Sequence, residues 1–193
     1  GIISAVKNTL DSTAVSGSID KFGGAARFSR ILGAIDAAET AITRNTTILR
    51  MRRDFQVVVN TPASYEICFE QGIAQVDNAP TVGSTGFTLD GSSNITYFED
   101  DGLGNLISYF FDENNTKNIL DYNFGTIDYV KGELKIGYNT PVKISGTVFP
   151  GSVIQVRANP LGQDIVAKKS VYLDLDVDNS EISAVVDTNL LSS

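Results

Sequence analysis

Histidine is absent from the 193 residues of this sequence. It is the commonest general base in enzymes and the commonest zinc ligand, and many serine and cysteine nucleophiles depend on it. Its absence excludes every site that is built on a histidine. The sequence also lacks a GxxxxGK[ST] motif, and the glycines of DDGLGN stand between predicted strands with no helix behind them. A hairpin turn is therefore favoured over a phosphate-binding loop.

Basic residues are also few. The chain has 15 lysines and arginines against 23 aspartates and glutamates, which gives a net charge of -8. Phosphate binding needs a basic surface, so we expect no nucleic acid partner. No stretch is long and apolar enough to span a bilayer, so we expect a soluble protein without a membrane partner. The single cysteine, Cys68, cannot form an internal disulfide, and its place in the alternating run YEICFE is typical of a strand.

Carboxylates are the remaining candidates for chemistry. Four of them near the C-terminus are spaced like the first ligands of a calcium-binding loop: Asp174, Asp176, Asp178 and Glu181. However, Asn179 occupies the position that needs glycine, and Val185 occupies the position that needs the closing glutamate. The solvent-exposed face of a strand from Ser170 to Val177 explains these aspartates better. We therefore expect no metal, no cofactor and no small-molecule substrate.

Residues 1–24 are predicted to be the end of a preceding region and a linker. The chain begins with Gly1 and not with methionine, Ile2 to Leu10 are expected to be the last turns of a helix, and DSTAVSGSIDKFGG is rich in turn-forming residues. Residues 25–193 are predicted to form one α+β domain. It begins with a helix from Ala25 to Thr40, whose apolar residues at i, i+3, i+4 and i+7 form one stripe: Phe28, Ile31, Leu32, Ile35 and Ala38. We expect this stripe to pack on a sheet.

From Thr47 the apolar period changes to two, which predicts a strand. One face carries Leu49, Met51, Phe55, Val57 and Val59, and the other face carries Arg50, Arg52, Asp54 and Gln56. The candidate interface residues are the dense basic cluster of this acidic chain: Arg44, Arg50, Arg52 and Arg53. Arg53 interrupts the apolar face, and two interpretations stay open. Either a bulge or strand end lets it reach water, or its guanidinium binds a carboxylate across a subunit contact.

The rest of the chain is typical of a strand-rich fold. The basic strand is expected to form a hairpin, through a turn at Asn60 to Ala63, with a strand that points Tyr65, Ile67 and Phe69 inward. A loop with at most one short strand near Phe87 follows. Further strands are then predicted at short spacing: Ile95 to Glu99, Leu106 to Phe111, Gly125 to Tyr129, Glu133 to Ile136, Val142 to Phe149, Ser152 to Ala158, Ser170 to Val177 and Glu181 to Val186. The predicted fold class is α+β, with one main amphipathic helix packed on a predominantly antiparallel sheet or sandwich built from hairpins.

Four segments occur in an informative order. The helix and basic strand read FSRILGAIDAAETAITRNTTILRMRRDF, and ITYFEDDGLGNLISYFF, GTIDYVKGELKI and VRANPLGQDIVAKKSVYLDLDV follow. This succession resembles the C-terminal region of the large baseplate wedge protein of contractile-tailed phages, a relative of the baseplate J-like proteins. The resemblance extends over about Phe22 to Val186, and it depends on the order of the segments, none of which is catalytic.

The resemblance implies a structural protein of the virion and no enzyme activity. It implies a subunit that associates with a second copy of itself as a homodimer, joins other baseplate wedge proteins, and helps to close an inner ring around the tail hub. Such a protein would be assembled in the host cytoplasm and located in the tail baseplate.

Two other classes of function stay open. A β-sandwich binding module for carbohydrate or a cell surface would use exposed aromatic side chains, and four on neighbouring strands could supply them: Tyr97, Phe98, Tyr109 and Phe111. Alternation places half of these in the core. A hydrolase would need a pair of acids, for which Glu99, Asp100 and Asp101 are candidates. This alternative is weaker, because acids are common in turns.

Overall fold

The computed structural model describes residues 1–12, 19, 21–168 and 172–185. Part of the predicted linker, residues 13–18 and 20, lies outside the described residues, as do residues 169–171 and 186–193. The chain divides into two compact units, Gly1–Ile48 with Gln163–Ser193 and Leu49–Gly162. The single domain that the sequence predicts over residues 25–193 stays a prediction.

The described residues contain two helices and thirteen strands. In chain order these are α1 (Ile2–Asp11), β1 (Ala25–Ala26), α2 (Phe28–Ala38), β2 (Met51–Gln56), β3 (Pro62–Ala63), β4 (Tyr65–Cys68), β5 (Val82–Ser84), β6 (Phe87–Leu89), β7 (Ile95–Asp100), β8 (Asn105–Phe111), β9 (Lys117–Asp128), β10 (Glu133–Ile136), β11 (Val142–Thr147), β12 (Val153–Ala158) and β13 (Ile165–Val166). Neither helix has the length and apolar content needed to traverse a bilayer.

The first unit contains both helices, which pack against each other, and a short antiparallel ladder between β1 and β13. Within α2, Ile31 is fully buried, and the rest of the predicted apolar stripe is half-buried. Asp164 fixes the start of this helix, because its carboxylate accepts hydrogen bonds from the Phe28 backbone N–H at 2.9 Å and from the Arg27 guanidinium at 2.6 Å. It thereby satisfies one of the backbone donors that a helix leaves free at its N-terminus.

The second unit is one antiparallel sheet of eleven strands. Eight strands follow one another in the order β2-β12-β5-β7-β8-β9-β10-β4, and β11, with β3 and β6, lies off this path. The two ends of the path approach each other, since the rings of Phe55 in β2 and Tyr65 in β4 are 5.3 Å apart. The backbone N–H of Val58 also donates a hydrogen bond to the Tyr65 hydroxyl at 3.2 Å. The sheet is therefore strongly curled.

The core lies on the inner face of this curled sheet. Alternate residues of the strands point into it, as the period of two requires. Its most buried large apolar side chains are Phe87, Phe98, Ile73, Leu106, Leu134, Ile136, Ile144, Ile154 and Val156. Two helices and a predominantly antiparallel sheet among the described residues agree with the predicted fold class. The packing of one main amphipathic helix on that sheet stays a prediction.

Two predicted hairpins are confirmed. Strands β7 and β8 pair through the DDGLG turn, and β9 and β10 pair through the turn that contains VKG. In the first turn Gly102 and Gly104 adopt φ values of 76° and 109°. Glycine adopts such values without steric cost, so the residues of DDGLGN form a turn, as predicted.

The predicted hairpin between the basic strand and the strand at Tyr65 is wrong. Strand β2 pairs with β12, and β4 pairs with β10. The inward direction of Ile67 and Phe69 is nevertheless confirmed, because both are buried. The loop before β7 also contains two short strands, β5 and β6, instead of at most one.

The two predicted strands after β13 are not present in the described residues. Residues 173–177 and 181–185 belong to no strand, and Tyr172 forms only an isolated bridge with Phe22. A turn interrupts the segment, since Asp176 accepts hydrogen bonds from the backbone and side chain of Asn179. The short polar side chains of Asp176 and Ser180 bind nearby backbone groups, which favours such a turn over pairing with another strand. The expected meander therefore ends earlier than the sequence predicts.

Candidate interaction surface

The acidic candidates form no metal site. No group of three or more potential ligands comes together among the described residues. Asp174 and Asp178 are exposed, and Asp176 binds Asn179 within its own turn. These carboxylates therefore lie in a largely exposed segment. The strand that was predicted to carry them is absent from the described residues.

The acids of the β7–β8 hairpin have structural partners. Asp101 closes the turn by accepting hydrogen bonds from the side-chain amide of Asn105 and from the backbone N–H groups of Leu103 and Asn105. Burial alone would raise the pKa of Asp101, but these hydrogen bonds outweigh it and lower the pKa. Asp100 is 1% exposed and accepts hydrogen bonds from the backbone N–H groups of Thr81 and Val82 and from the Tyr129 hydroxyl. Glu99, the third candidate acid, binds Lys117.

The basic strand lies at one end of the sheet order. Arg52 is directly opposite Arg157 of β12 in the antiparallel register, and both side chains are on the outer face. The Arg52 guanidinium binds the Asp54 carboxylate, with 3.0 Å between Nε and Oδ1. Arg50 precedes the strand and is exposed. Arg44 belongs to the helical unit, where it is exposed.

Arg157 also belongs to this basic surface, although it was not among the candidates from the sequence. It lies 105 residues after Arg52 in the chain, and only the pairing of β12 with β2 brings them together. Like charges directly opposite each other in an antiparallel pair are unfavourable. Asp54 offsets part of this repulsion for Arg52. The exposed side chain of Arg157 has no ion pair among the described residues.

Arg53 is half-buried on the inner face, beside Met51 and Phe55. The bulge interpretation is wrong, because the register of β2 with β12 runs without interruption from Met51 to Gln56. Arg53 faces Val156, which is fully buried. Arg53 also lies inside β2 and not at its end, and its contact with a carboxylate across a subunit interface stays a prediction.

A second surface lies on the outer face of β7, β8 and β9. Of the four aromatic candidates, the structure brings Tyr97, Tyr109 and Phe111 together there, and it buries Phe98 completely in the core. The ring centroids of Tyr97 and Tyr109 are 5.7 Å apart, and those of Tyr109 and Phe111 are 5.6 Å apart. Alternation along the strands explains this division.

An ion pair crosses this aromatic surface. Lys117 binds Glu99, and its Nζ lies 4.0 Å from the centroid of the Tyr109 ring. Burial, and then the negative charge of Glu99, raise the pKa of Tyr109 to about 12. The hydroxyl of Tyr109 therefore stays protonated near neutral pH, and the two charges within the surface cancel.

No protein-family model and no curated protein matches this chain.

Proposed function

We propose that this chain is a structural subunit of a phage tail baseplate. In this role it associates with a second copy and joins other wedge subunits into the inner baseplate ring, in the virion, without an enzyme activity or a cofactor. The order of the four segments along the sequence is the observation that carries the proposal. The pairing of β7 with β8 and of β9 with β10 supports it, because two of those segments are thereby hairpins.

The basic strand is one proposed contact with neighbouring subunits. A chain of charge -8 repels its own copies, so a contact between copies needs a place where the sign of the charge reverses. Arg50, Arg52 and Arg157 form such a place on the outer face of the sheet unit. A carboxylate from a neighbour would also offset the repulsion between the two arginines that face each other.

The test is the mass of the chain in solution, measured by light scattering at moderate salt over a range of concentrations. We expect the wild type to exceed the monomer mass of 20.7 kDa at high micromolar concentration. Arg50→Glu with Arg157→Glu should shift the chain toward smaller species. We change Arg50 and Arg157 and not Arg52, because a glutamate at position 52 would lie next to the carboxylate of Asp54 and repel it.

The matched control is Lys21→Glu with Arg30→Glu, which changes the net charge equally at two exposed basic residues that have no ion pair among the described residues. It should leave the mass nearly unchanged. A wild type that is monomeric at high micromolar concentration would contradict self-association. An equal loss of mass in both variants would show that net charge, and not the arginine surface, controls association.

The carbohydrate-binding alternative has one observation in its favour, because the rings of Tyr97 and Tyr109 are nearly parallel at 25°, but the rest of the aromatic surface suits a sugar poorly. A sugar ring stacks on an exposed, flat aromatic face, but the rings of Tyr109 and Phe111 meet at 87° and those of Tyr97 and Phe111 at 63°. Lys117 also covers the ring of Tyr109. The assembly function is therefore the one that we propose.

A further inference from the structure

The outer face of β7, β8 and β9 exposes more apolar surface than a solvated sheet face needs. We name this surface the aromatic face, and it consists of Val148, which follows β11, and of five residues on these strands: Ile95, Tyr97, Tyr109, Phe111 and Ile119. Phe111 is 46% exposed and Val148 is 58% exposed. Single exposed apolar residues are ordinary on protein surfaces, but a contiguous group of them marks an interaction site.

The aromatic face is contiguous. Tyr97 pairs with Tyr109 across β7 and β8, and Tyr109 pairs with Ile119 across β8 and β9. At Gly86, a Cβ would lie 2.5 Å from Ile95 Cγ2, 2.9 Å from Val148 Cγ2 and 3.3 Å from Tyr97 Cε1. These three side chains therefore close over the same glycine.

The size of the aromatic face suits the centre of a subunit contact. Large side chains bury about 150–250 Å² each, so six partly exposed ones leave on the order of 500 Å² accessible. A standard interface buries about 800 Å² per partner, with an apolar centre and a polar rim. The aromatic face matches such a centre in area and composition.

The charge of the aromatic face suits a second copy of this chain. In a two-fold contact the same surface meets itself, so a surface with a net charge would repel its copy. The charged residues that the register places within this face, Lys117 and Glu99, bind each other. The face is thus neutral on a chain of charge -8, so two copies can meet there without repulsion between like charges.

We propose that two copies of this chain associate through their aromatic faces, with Phe111 and Val148 among the residues buried at the contact. This inference rests on the proposed function, because it names the surface by which a copy binds a copy. The arginine surface lies on the same outer face, since Arg157 pairs with Gly83 of β5 and Gly83 pairs with Glu99 of β7, so the arginines belong to the polar rim of this contact. The perpendicular rings, which are unsuited to a sugar, are well suited to packing against side chains in edge-to-face geometry.

The experiment compares dimer dissociation constants by sedimentation equilibrium of the full chain. The test variant is Phe111→Ser with Val148→Ser, and both residues are exposed, so folding should persist. The control variant is Leu103→Ser with Val130→Ser, which makes the same kind of change at residues 69% and 84% exposed, in the β7–β8 and β9–β10 turns. Thermal melts of both variants report on their folding.

We expect the test variant to raise the dissociation constant at least tenfold and the control variant to change it less than twofold. An unchanged constant in a folded test variant would overturn the inference. If Arg50→Glu with Arg157→Glu dissociates the dimer while the test variant does not, this inference fails and the proposed self-association stands. If the wild type is monomeric at high micromolar concentration, both fail, and retention on immobilised glycan that Phe111→Ser abolishes would assign the face to carbohydrate.

Discussion

Tyr129→Phe should destabilise the sheet unit through the buried carboxylate of Asp100. Asp100 Oδ1 accepts hydrogen bonds from the backbone N–H groups of Thr81 and Val82, at 2.6 and 2.7 Å. Its Oδ2 accepts a hydrogen bond from the Tyr129 hydroxyl at 2.7 Å. The Thr81 hydroxyl is 3.3 Å from the same oxygen, but it donates to the Ala74 carbonyl at 2.6 Å and has only one hydrogen. Tyr129 is therefore the main donor to Oδ2.

The magnitude follows from the burial of this group. Phenylalanine keeps the ring, so no cavity forms, and only the hydroxyl is lost. Asp100 is 1% exposed, so water cannot replace the missing donor. A hydrogen bond to a charged group contributes about 1.5–3 kcal/mol, and leaving a buried acceptor unsatisfied costs about 1–3 kcal/mol. We expect Tyr129→Phe to lower the free energy of unfolding by about 2–3 kcal/mol.

Urea titration of the wild type and Tyr129→Phe measures this difference. The matched control is Tyr138→Phe, which removes a hydroxyl that donates to Glu66 at 3.0 Å on an exposed part of the sheet unit. Water can replace that bond, so its change should stay within about 0.5 kcal/mol. A loss of less than about 0.5 kcal/mol for Tyr129→Phe would refute the reasoning, because it would show that the buried bond contributes no more than the exposed one.

The pH dependence gives a second measurement of the same interaction. Burial, and then the hydrogen bond to Asp100, raise the pKa of Tyr129 far above its ordinary value of 10.0. The folded state therefore keeps a proton that the unfolded state loses above about pH 10. Stability should fall as the pH rises beyond that value, and it should fall less steeply in Tyr129→Phe.

Two further predictions concern the helical unit. Ile31→Ala should lower the stability of this unit by about 2–5 kcal/mol, because Ile31 is fully buried, and Ile35→Ala should cost less since Ile35 is half-buried. Thermal melts that follow helical ellipticity compare the two, and equal losses would contradict the burial difference. Arg27, and then the Phe28 N–H, hold the pKa of Asp164 below its ordinary value of 3.8. This contribution is present above that value and is lost as the pH falls through the lowered pKa, so acid should destabilise the wild type more than Asp164→Asn, and identical acid profiles would contradict it.

Local pattern determined much of the secondary structure. Alternation and a glycine turn predicted β7 with β8 and β9 with β10, because partners joined by a short turn need no long-range information. Alternation also assigned Tyr97 and Phe98 to opposite faces. It underestimated β9, which begins at Lys117, because the register of this strand with β8 shifts twice and obscures its period.

Local pattern misled where turn chemistry opposed it. The alternating DLDVD segment reads as a strand, but Asp176 binds Asn179 and no neighbouring strand pairs with residues 173–177. The apolar stripe of α2 correctly predicted a helix, yet it did not show that Ile31 would be its one fully buried member. Periodicity identifies a face, while burial depends on what lies against that face.

Only the tertiary structure decided which strands are neighbours. A hydrophobic period of two indicates which residues share one face of a strand, but it does not indicate which other strand pairs with that strand. The pairing of β2 with β12 is therefore not readable from the sequence, nor is the meeting of Arg52 with Arg157 across it. The same holds for the aromatic face, where Val148 comes from a distant part of the chain to meet Ile95 and Tyr97 over Gly86. The sequence determined the alternation and the turns, since these depend on neighbours in the chain, and the fold decided the surfaces, since these depend on long-range pairing.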